Sequence, residues 1–196
     1  MLLKKAWAVS LASAAAAFLF SCASATAPFT PRLNTAEHHT SNGMKLLKLG
    51  KLDAALQEFF ISTKLNPGFS SAYAGAGLIH GFKGNFDRGA SSFARAFDYA
   101  ATDEEKVLSR IFLMRFYIVG REKFDTHWLA YVEHHFNEAI SIAPNSSEPY
   151  FYMGLAYKMS SDFRRASEQF IKVIELDRGY VKEAEAEYEI IGKIKK

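Results

Sequence analysis

Cysteine and proline are scarce in this 196-residue chain, and its charge is nearly balanced. A single cysteine, Cys22, excludes an internal disulfide. Five prolines and 49% hydrophobic residues exclude collagen-like and disordered compositions. Removal of Lys4 and Lys5 with an N-terminal leader would leave 22 basic against 21 acidic residues, a net charge of +1. Since a nucleic-acid binder usually carries a dense basic stripe, we expect no nucleic-acid partner.

Motifs that carry catalysis or hold cofactors are also missing. The sequence contains no G-x-S-x-G, P-loop, G-x-G-x-x-G, H-E-x-x-H or paired C-x-x-C pattern. Gly75-Ala76-Gly77 falls inside a predicted helix, which favours packing glycines over a phosphate-binding loop. We therefore predict no enzyme activity and no cofactor.

Six histidines raise the question of a metal site, above all His134-His135 with His127 and Glu133. Adjacent residues of a helix point to different faces, so this pair favours one exposed and one half-buried histidine. The sequence alone therefore predicts no metal site.

The N-terminus has the pattern of an export signal. Lys4 and Lys5 precede Ala6–Phe20, a run that is apolar except for Ser10 and Ser13. A membrane-spanning helix needs about 20 apolar residues, so a permanent transmembrane anchor is the weaker interpretation of this shorter run.

Leu19-Phe20-Ser21-Cys22 ends the run and resembles the bacterial lipobox. In lipoproteins the cysteine thiol receives a diacylglyceryl group, the chain is cut before the cysteine, and the new amine is usually acylated. The resemblance implies a signal peptide over 1–21, lipidation of Cys22 with palmitate-type chains, and a tether over 22–35. Because Ala23 and not Asp follows the cysteine, it also implies the outer membrane, facing the periplasm. The alternative is ordinary secretion, because Ala23-Ser24-Ala25 is itself a signal-peptidase pattern that would remove Cys22.

A repeat runs through the remaining chain. Phe59, Phe93, Phe136 and Phe170 are separated by 34, 43 and 34 residues. Five further columns keep this spacing: Gly43, Gly77, Gly120, Gly154; Leu52, Phe86, Leu129, Phe163; Ala55, Gly89, Val132, Ala166; Ser62, Ala96, Ala139, Val173; His39, Tyr73, Phe116, Tyr150. A shared irregular spacing of this kind indicates repeated helix pairs, and we predict that Phe93 and Phe136 are buried between the helix layers.

The unit resembles the tetratricopeptide repeat (TPR), with a small residue on a first helix and Ala-x-x-x-Phe-x-x-Ala on a second. The resemblance covers 36–180 in four units, 36–69, 70–103, 104–146 and 147–180. It implies an all-α, right-handed solenoid of about four helix pairs. Residues 181–196, with early Glu and late Lys, are predicted to form a capping helix.

The third unit carries nine extra residues. Since the columns resume at Phe116 and Gly120, we place the extra residues between Ala101 and Phe116. They are predicted to extend the N-terminal end of a first helix that runs from Asp103 to about Val119.

TPR proteins line a concave groove with outward-facing residues of their first helices. Carried over by position, the resemblance implies these groove residues: Met44, Leu47, Lys48, Leu78, Phe82, Tyr117, Arg121, Phe151, Leu155, Lys158 and Met159. An apolar groove of this composition suits a helical or extended protein segment. The carboxylate clamp of chaperone-type members is not expected, because Thr40, Met44 and Gly75 stand in its places.

Two functions follow as hypotheses. The first is a membrane-anchored periplasmic scaffold that binds a protein segment, as an assembly or accessory factor of an envelope complex. The second is a transporter-accessory lipoprotein that binds a small hydrophobic ligand in a cavity between repeats. An open groove favours the first, and a closed cavity favours the second.

Overall fold

The computed structural model describes residues 34–194. These residues form α-helices of similar length. They are Ala36–Lys48 (α1), Leu52–Leu65 (α2), Ser70–Phe82 (α3), Phe86–Tyr99 (α4), Asp103–Val119 (α5), Trp128–Ile142 (α6), Ser147–Met159 (α7), Phe163–Leu176 (α8) and Val181–Ile194 (α9), with a 3₁₀ turn at Asp125–His127. Among these described helices, none combines the length and apolar character needed to cross a membrane. The predicted signal peptide, Cys22 and most of the tether lie outside the described residues, so the lipidation of Cys22 stays a prediction.

Consecutive helices pack in pairs, α1 with α2, α3 with α4, α5 with α6 and α7 with α8, and α9 packs on α8. First helices also pack on one another, with α5 close against α3. The predicted fold class, an all-α solenoid of four helix pairs with a terminal helix, is confirmed.

The second helix of each pair carries the repeat columns as predicted. Phe59, Phe93 and Phe170 are at most 2% exposed, and Phe136 is 9% exposed. The flanking small or apolar positions are buried in all four pairs: Ala55, Gly89, Val132, Ala166, Ser62, Ala96, Ala139 and Val173. The predicted burial of Phe93 and Phe136 between helices is therefore confirmed.

Glycines on the first helices make room for these rings. In three pairs a β-carbon added to the glycine would come within 3 Å of the ring of the second helix. The pairs are Gly43 with Phe59, Gly77 with Phe93, and Gly154 with Phe170. Gly75 and Gly77 both lie inside α3, so their interpretation as packing glycines is confirmed.

The third pair departs from the pattern in its first helix. α5 has 17 residues where α1, α3 and α7 have 13 each. Residues 120–127 connect it to α6, whereas three residues make each of the other connections within a pair. The predicted bounds of α5 are confirmed, but the extra residues lie at its C-terminal end and in the connector, so the predicted N-terminal extension is wrong.

The cause is a capping box at the start of α5. The backbone N–H of Glu105 donates to the Thr102 hydroxyl at 3.2 Å, and the Glu105 carboxylate accepts from the Thr102 N–H at 3.1 Å. This cap fixes the start of the helix near the ordinary repeat position. Gly120 is consequently the C-cap of α5, beside Phe124 and Phe86, and is not equivalent to Gly43.

The aromatic column breaks at the same place. Tyr73 and Tyr150 each donate a hydroxyl hydrogen bond to the carbonyl of the proline before their helix, at 3.0 and 3.2 Å. Phe116 is instead 1% exposed, and its ring fills the space above Gly81 and Gly89. Its place in that column is wrong because α5 is in a different register.

The buried apolar residues form two clusters. The first includes Leu47, Phe59 and Phe93, and the second includes Phe136, Phe170 and Ile191. α5 contributes to both: Val107, Ile111, Phe112, Leu113 and Phe116 belong to the first cluster, and Met114 and Ile118 belong to the second. α5 therefore joins the two halves of the solenoid.

The terminal helix α9 covers the last pair with part of its predicted stripe. Ala184 and Ile191 are buried, whereas Tyr188 is 43% exposed. Lys158 of α7 donates to the carboxylate of Glu187 in α9, which ties the cap to the first helix of the pair.

Candidate functional site

An open cleft of about 740 Å³ lies between three first helices and the start of α9. Its walls come from α1, α5, α7 and the segment around Tyr180. The lining residues are Met44, Leu47, Lys48, Leu108, Phe112, Arg115, Glu148, Tyr152, Gly179, Tyr180 and Glu183. This position corresponds to the concave face of the solenoid.

The floor of the cleft is apolar and aromatic. Leu47 and Phe112 are 7% and 4% exposed, and Leu108 packs against the same cluster. Tyr180 stacks on Phe151 with ring centroids 4.7 Å apart, which holds its ring in place. A rigid floor of this kind can bury an apolar side chain with little loss of side-chain entropy in the protein.

Two tyrosines bring hydroxyl groups to the cleft. Tyr180 donates to Glu148 at 3.0 Å. Burial, reinforced by Glu148, raises the pKa of Tyr180 far above its ordinary value, and burial also raises the pKa of Tyr152. Both hydroxyl groups therefore stay protonated at physiological pH and act as neutral hydrogen-bonding groups.

Charged groups of both signs line the cleft. Lys48 and Arg115 come from α1 and α5, and Glu148 and Glu183 come from α7 and α9. Arg115 is held over the ring of Tyr152, 4.9 Å from its centroid. Within residues 34–194, none of these four groups has an ion-pair partner within 4.0 Å, although Glu148 accepts the Tyr180 hydroxyl.

The structure brings only the first-repeat residues of the sequence-predicted groove into this cleft. Met44, Leu47 and Lys48 line it. The equivalent positions on α3 do not, because α5 packs closely on α3. Leu78 is 0% exposed in the first apolar cluster, so its assignment to the groove is wrong, and Phe82 is exposed at the end of α3 away from the cleft.

None of the predicted fourth-repeat positions lines the cleft. Phe151 is 7% exposed beneath Tyr180, so it supports the floor and does not contact solvent, which corrects its assignment. Leu155 is half-buried in the second cluster, and Lys158 is paired with Glu187. Met159 is exposed but lies outside the cleft.

The predicted third-repeat residues also lie elsewhere. Tyr117 packs against Phe124 and stacks on Tyr131, with ring centroids 4.9 and 4.8 Å away. Arg121, in the connector after α5, lies 3.6 Å from the Glu122 carboxylate. Neither lines the cleft. Their assignment rests on the repeat columns at Phe116 and Gly120, which do not hold for α5 because its capping box starts the helix near the ordinary repeat position.

The residues that sequence reasoning missed are Leu108, Phe112, Arg115, Glu148, Tyr152, Tyr180 and Glu183. The signal that would have found those on α5 is the Thr102 and Glu105 capping box. Counting helical turns from that start places Leu108, Phe112 and Arg115 on one face. No comparable signal marks Glu183, which reaches the cleft only because of how α9 packs.

A second open cleft, of about 520 Å³, lies between α2, α3 and α4. It combines apolar Leu56 and Phe60 with Tyr73, His80 and Arg95. It is smaller and belongs to two repeats only, so we regard it as the competing surface for a partner.

A scan of the sequence against protein-family models finds no match, and a search of curated proteins also finds none. Solved structures do match. A chain of the APC/C hetero-tetramer Cut9–Hcn1 is similar with a TM-score of 0.61 at 16% identity, over 85% of this chain and 31% of that one. This chain thus spans less than a third of the length of that relative.

TTC0263, a thermophilic TPR protein of Thermus thermophilus, is similar with a TM-score of 0.61 at 18% identity. The match covers 80% of this chain and 89% of that one. Likeness at these identities establishes fold and not activity. The described part of this chain therefore has the fold of the TPR proteins, a solenoid of paired α-helices.

Proposed function

We propose that this chain is a lipid-anchored scaffold of the bacterial envelope that binds a segment of a partner protein in the cleft between α1, α5, α7 and α9. The observation that carries the proposal is the composition of that cleft, an apolar aromatic floor lined by charged groups of both signs. The protein acts by holding its partner and not by catalysis.

The shape of the cleft supports a peptide segment as the ligand. It is open to solvent, whereas a small hydrophobic ligand is best held in an enclosed cavity. The fitting segment places apolar side chains on Leu47, Phe112 and Tyr152. Acidic groups of the segment would pair with Lys48 and Arg115, and basic groups would pair with Glu148 and Glu183.

The proposed location rests on the N-terminal sequence. A lipidated Cys22, followed by the tether over 22–35, would hold the helical domain close to a membrane surface. A scaffold in that position suits an assembly or accessory factor of an envelope complex, on the periplasmic face of the outer membrane.

Site-directed photocrosslinking in intact bacteria tests the cleft. A photoreactive residue at Lys48 should crosslink a partner, and one at Lys51, exposed beyond the end of α1, serves as the matched control. Binding of the purified partner segment should then fall at least about tenfold in Lys48→Glu with Arg115→Glu, since each reversal places like charges together. Unchanged binding in that variant would contradict the proposal, and loss in Phe60→Asp instead would move the site to the second cleft.

Metabolic labelling with palmitate tests the anchor. The wild-type chain should take the label and sediment with membranes, whereas Cys22→Ser should do neither. An unlabelled wild-type chain, released in soluble form after cleavage near Ala25, would establish ordinary secretion instead.

A further inference from the structure

Two histidines and a carboxylate converge on the exposed side of α6. His134 Nε2 and His135 Nδ1 each lie 3.3 Å from Glu138 Oε2. One ligand atom from each of the three residues can be chosen so that all lie within 4.8 Å of one another. His134, His135 and Glu138 thus bring three metal-ligating atoms into one small cluster.

The pair has one exposed and one half-buried histidine, as expected. The His134 side chain is 63% exposed and that of His135 is 13% exposed. The rings nevertheless turn toward each other, with centroids 4.9 Å apart, and both reach the carboxylate one turn further along α6. Side-chain rotation therefore overcomes the divergence of adjacent positions on the helix.

His135 is held in place before any ligand arrives. Its ring is stacked between Tyr117, 5.9 Å away at an interplanar angle of 8°, and Phe97, 6.4 Å away at 20°. Its Nδ1 is buried and has no hydrogen-bond partner within residues 34–194. It lies 3.3 Å from Glu138 Oε2 without the geometry of a hydrogen bond, and a cation bound between the two atoms would satisfy both.

Two of the three separations match the geometry of a tetrahedral metal, and the third, between the two histidine nitrogens, would have to shorten if it exceeds the edge of that tetrahedron. Ligand distances of about 2.0–2.2 Å place neighbouring ligand atoms about 3.3–3.5 Å apart in a tetrahedron. Both nitrogen-to-oxygen separations are 3.3 Å. Because His134 is exposed, water can occupy the fourth position.

We propose that His134, His135 and Glu138 form a site for a divalent transition-metal ion, with Zn²⁺ as the reference ion. Imidazole nitrogens favour zinc, copper and nickel over the hard cations calcium and magnesium.

Arg110 of α5 is the one cation already at this carboxylate among residues 34–194, apart from the two histidines. It donates to Glu138 Oε2 and lies over the ring of Phe97, 5.3 Å from its centroid. It fixes the orientation of Glu138, and its charge opposes the metal. We therefore expect affinity in the micromolar range and not that of a structural zinc site.

The chain supplies its own matched control in His38 and His39. These adjacent histidines of α1 also have a glutamate nearby, but their nitrogens are engaged separately. His39 contacts Glu58 at 2.7 Å and Asn34 at 3.1 Å, while His38 Nε2 accepts from Asn42 at 3.0 Å. Both pairs are thus adjacent in sequence. They differ in that only the nitrogens of His134 and His135 approach the same carboxylate oxygen.

Calorimetric titration of the full, tag-free chain with Zn²⁺ tests the proposal, and the visible spectrum of added Co²⁺ reports the coordination geometry. One Zn²⁺ should bind per chain, and Co²⁺ should give the intense absorption of four-coordinate ions. His134→Ala and Glu138→Gln should each weaken binding at least about tenfold, while His38→Ala leaves it unchanged.

His134 is exposed, so His134→Ala should keep the fold. This variant tests the site even if substitution of the more buried Glu138 or His135 disturbs folding. Absence of saturable binding at about 100 μM Zn²⁺ would overturn the proposal. So would equal binding by wild type and His134→Ala, a loss of binding in His38→Ala, or a six-coordinate Co²⁺ spectrum.

Discussion

Gly75 of α3 leaves the space that the ring of Phe59 in α2 occupies. A β-carbon at Gly75 would lie 2.8 Å from Phe59 Cε1 and closer still to Cζ and Cε2. Gly43 of α1 meets the same ring from the other side, where a β-carbon would lie 2.7 Å from Cε1. One phenylalanine ring therefore locks the first repeat to the second, between two glycines.

We predict that Gly75→Ala destabilises the protein by roughly 1–3 kcal/mol, because the ring cannot move away from both glycines. The loss appears even though alanine gains up to about 1 kcal/mol over glycine in a helix interior. Urea denaturation followed by circular dichroism measures it. The matched control is Gly192→Ala in α9, where no atom lies within 4 Å of the added carbon, and a gain in stability is expected. Equal effects of the two substitutions would contradict the prediction.

Phe93→Ala and Phe136→Ala should each lower the free energy of unfolding by about 3–5 kcal/mol. Both rings are buried between helices, one in each half of the solenoid. Since neighbouring repeats stabilise each other, each variant should shift the unfolding of the whole array. Phe60→Ala, at a side chain that is 56% exposed, is the control and should change the urea midpoint little.

Ser161→Gly should stabilise the protein by roughly 0.5–1 kcal/mol, because glycine relieves a left-handed backbone. Ser161 has a φ of 65° in the turn before α8, and the equivalent turns have Gly50 at 69° and Gly84 at 74°. A side chain in this left-handed region costs about 1–2 kcal/mol, of which the greater flexibility of unfolded glycine cancels part. The reciprocal change Gly84→Ser should lower the stability by a similar amount. Thermal denaturation of both variants measures the two effects.

Stability should fall between about pH 7 and pH 5 in part through His80. Burial lowers the pKa of His80 below 6.5, and Arg88 and Lys83 lower it further. The folded state therefore binds a proton less readily than the unfolded state, so acid favours unfolding. Asp87 and Arg95 also face this histidine across the adjoining cleft. His80→Gln should lose less stability than wild type over this interval, and identical losses in urea denaturation at the two pH values would disprove the contribution.

The sequence predicts the second helices well because their packing is local and repeated. Phe59 and Phe170 lie at the same helical position, and each meets a glycine of its own pair. The same rule fails for Gly120. The 43-residue spacing is taken from Phe93 to Phe136, and that interval includes both the extra turn of α5 and the longer connector, which come after a first-helix glycine. Column spacing alone cannot distinguish residues added before a helix from residues added after it.

The cleft is harder to predict because exposure of a first helix depends on the helix that covers it. Met44 and Leu78, 34 residues apart, occupy the same repeat position. Met44 is half-buried and lines the cleft, whereas Leu78 is fully buried in the region where α5 packs on α3. Likewise Lys158, predicted to be free, is paired with Glu187 because α9 packs beside α7 and α8. Periodicity indicates which face of a helix is apolar but not which neighbour meets it.

The division of α5 between two apolar clusters has a consequence for the order in which the backbone opens. Amide hydrogens of α5 can exchange with solvent only when both clusters are disrupted, whereas α1 and α9 each depend on one. Deuterium uptake should therefore be slowest around Ile111 to Met114 and fastest in the two end helices. The helix that departs most from the repeat pattern is then the one whose protection reports global unfolding.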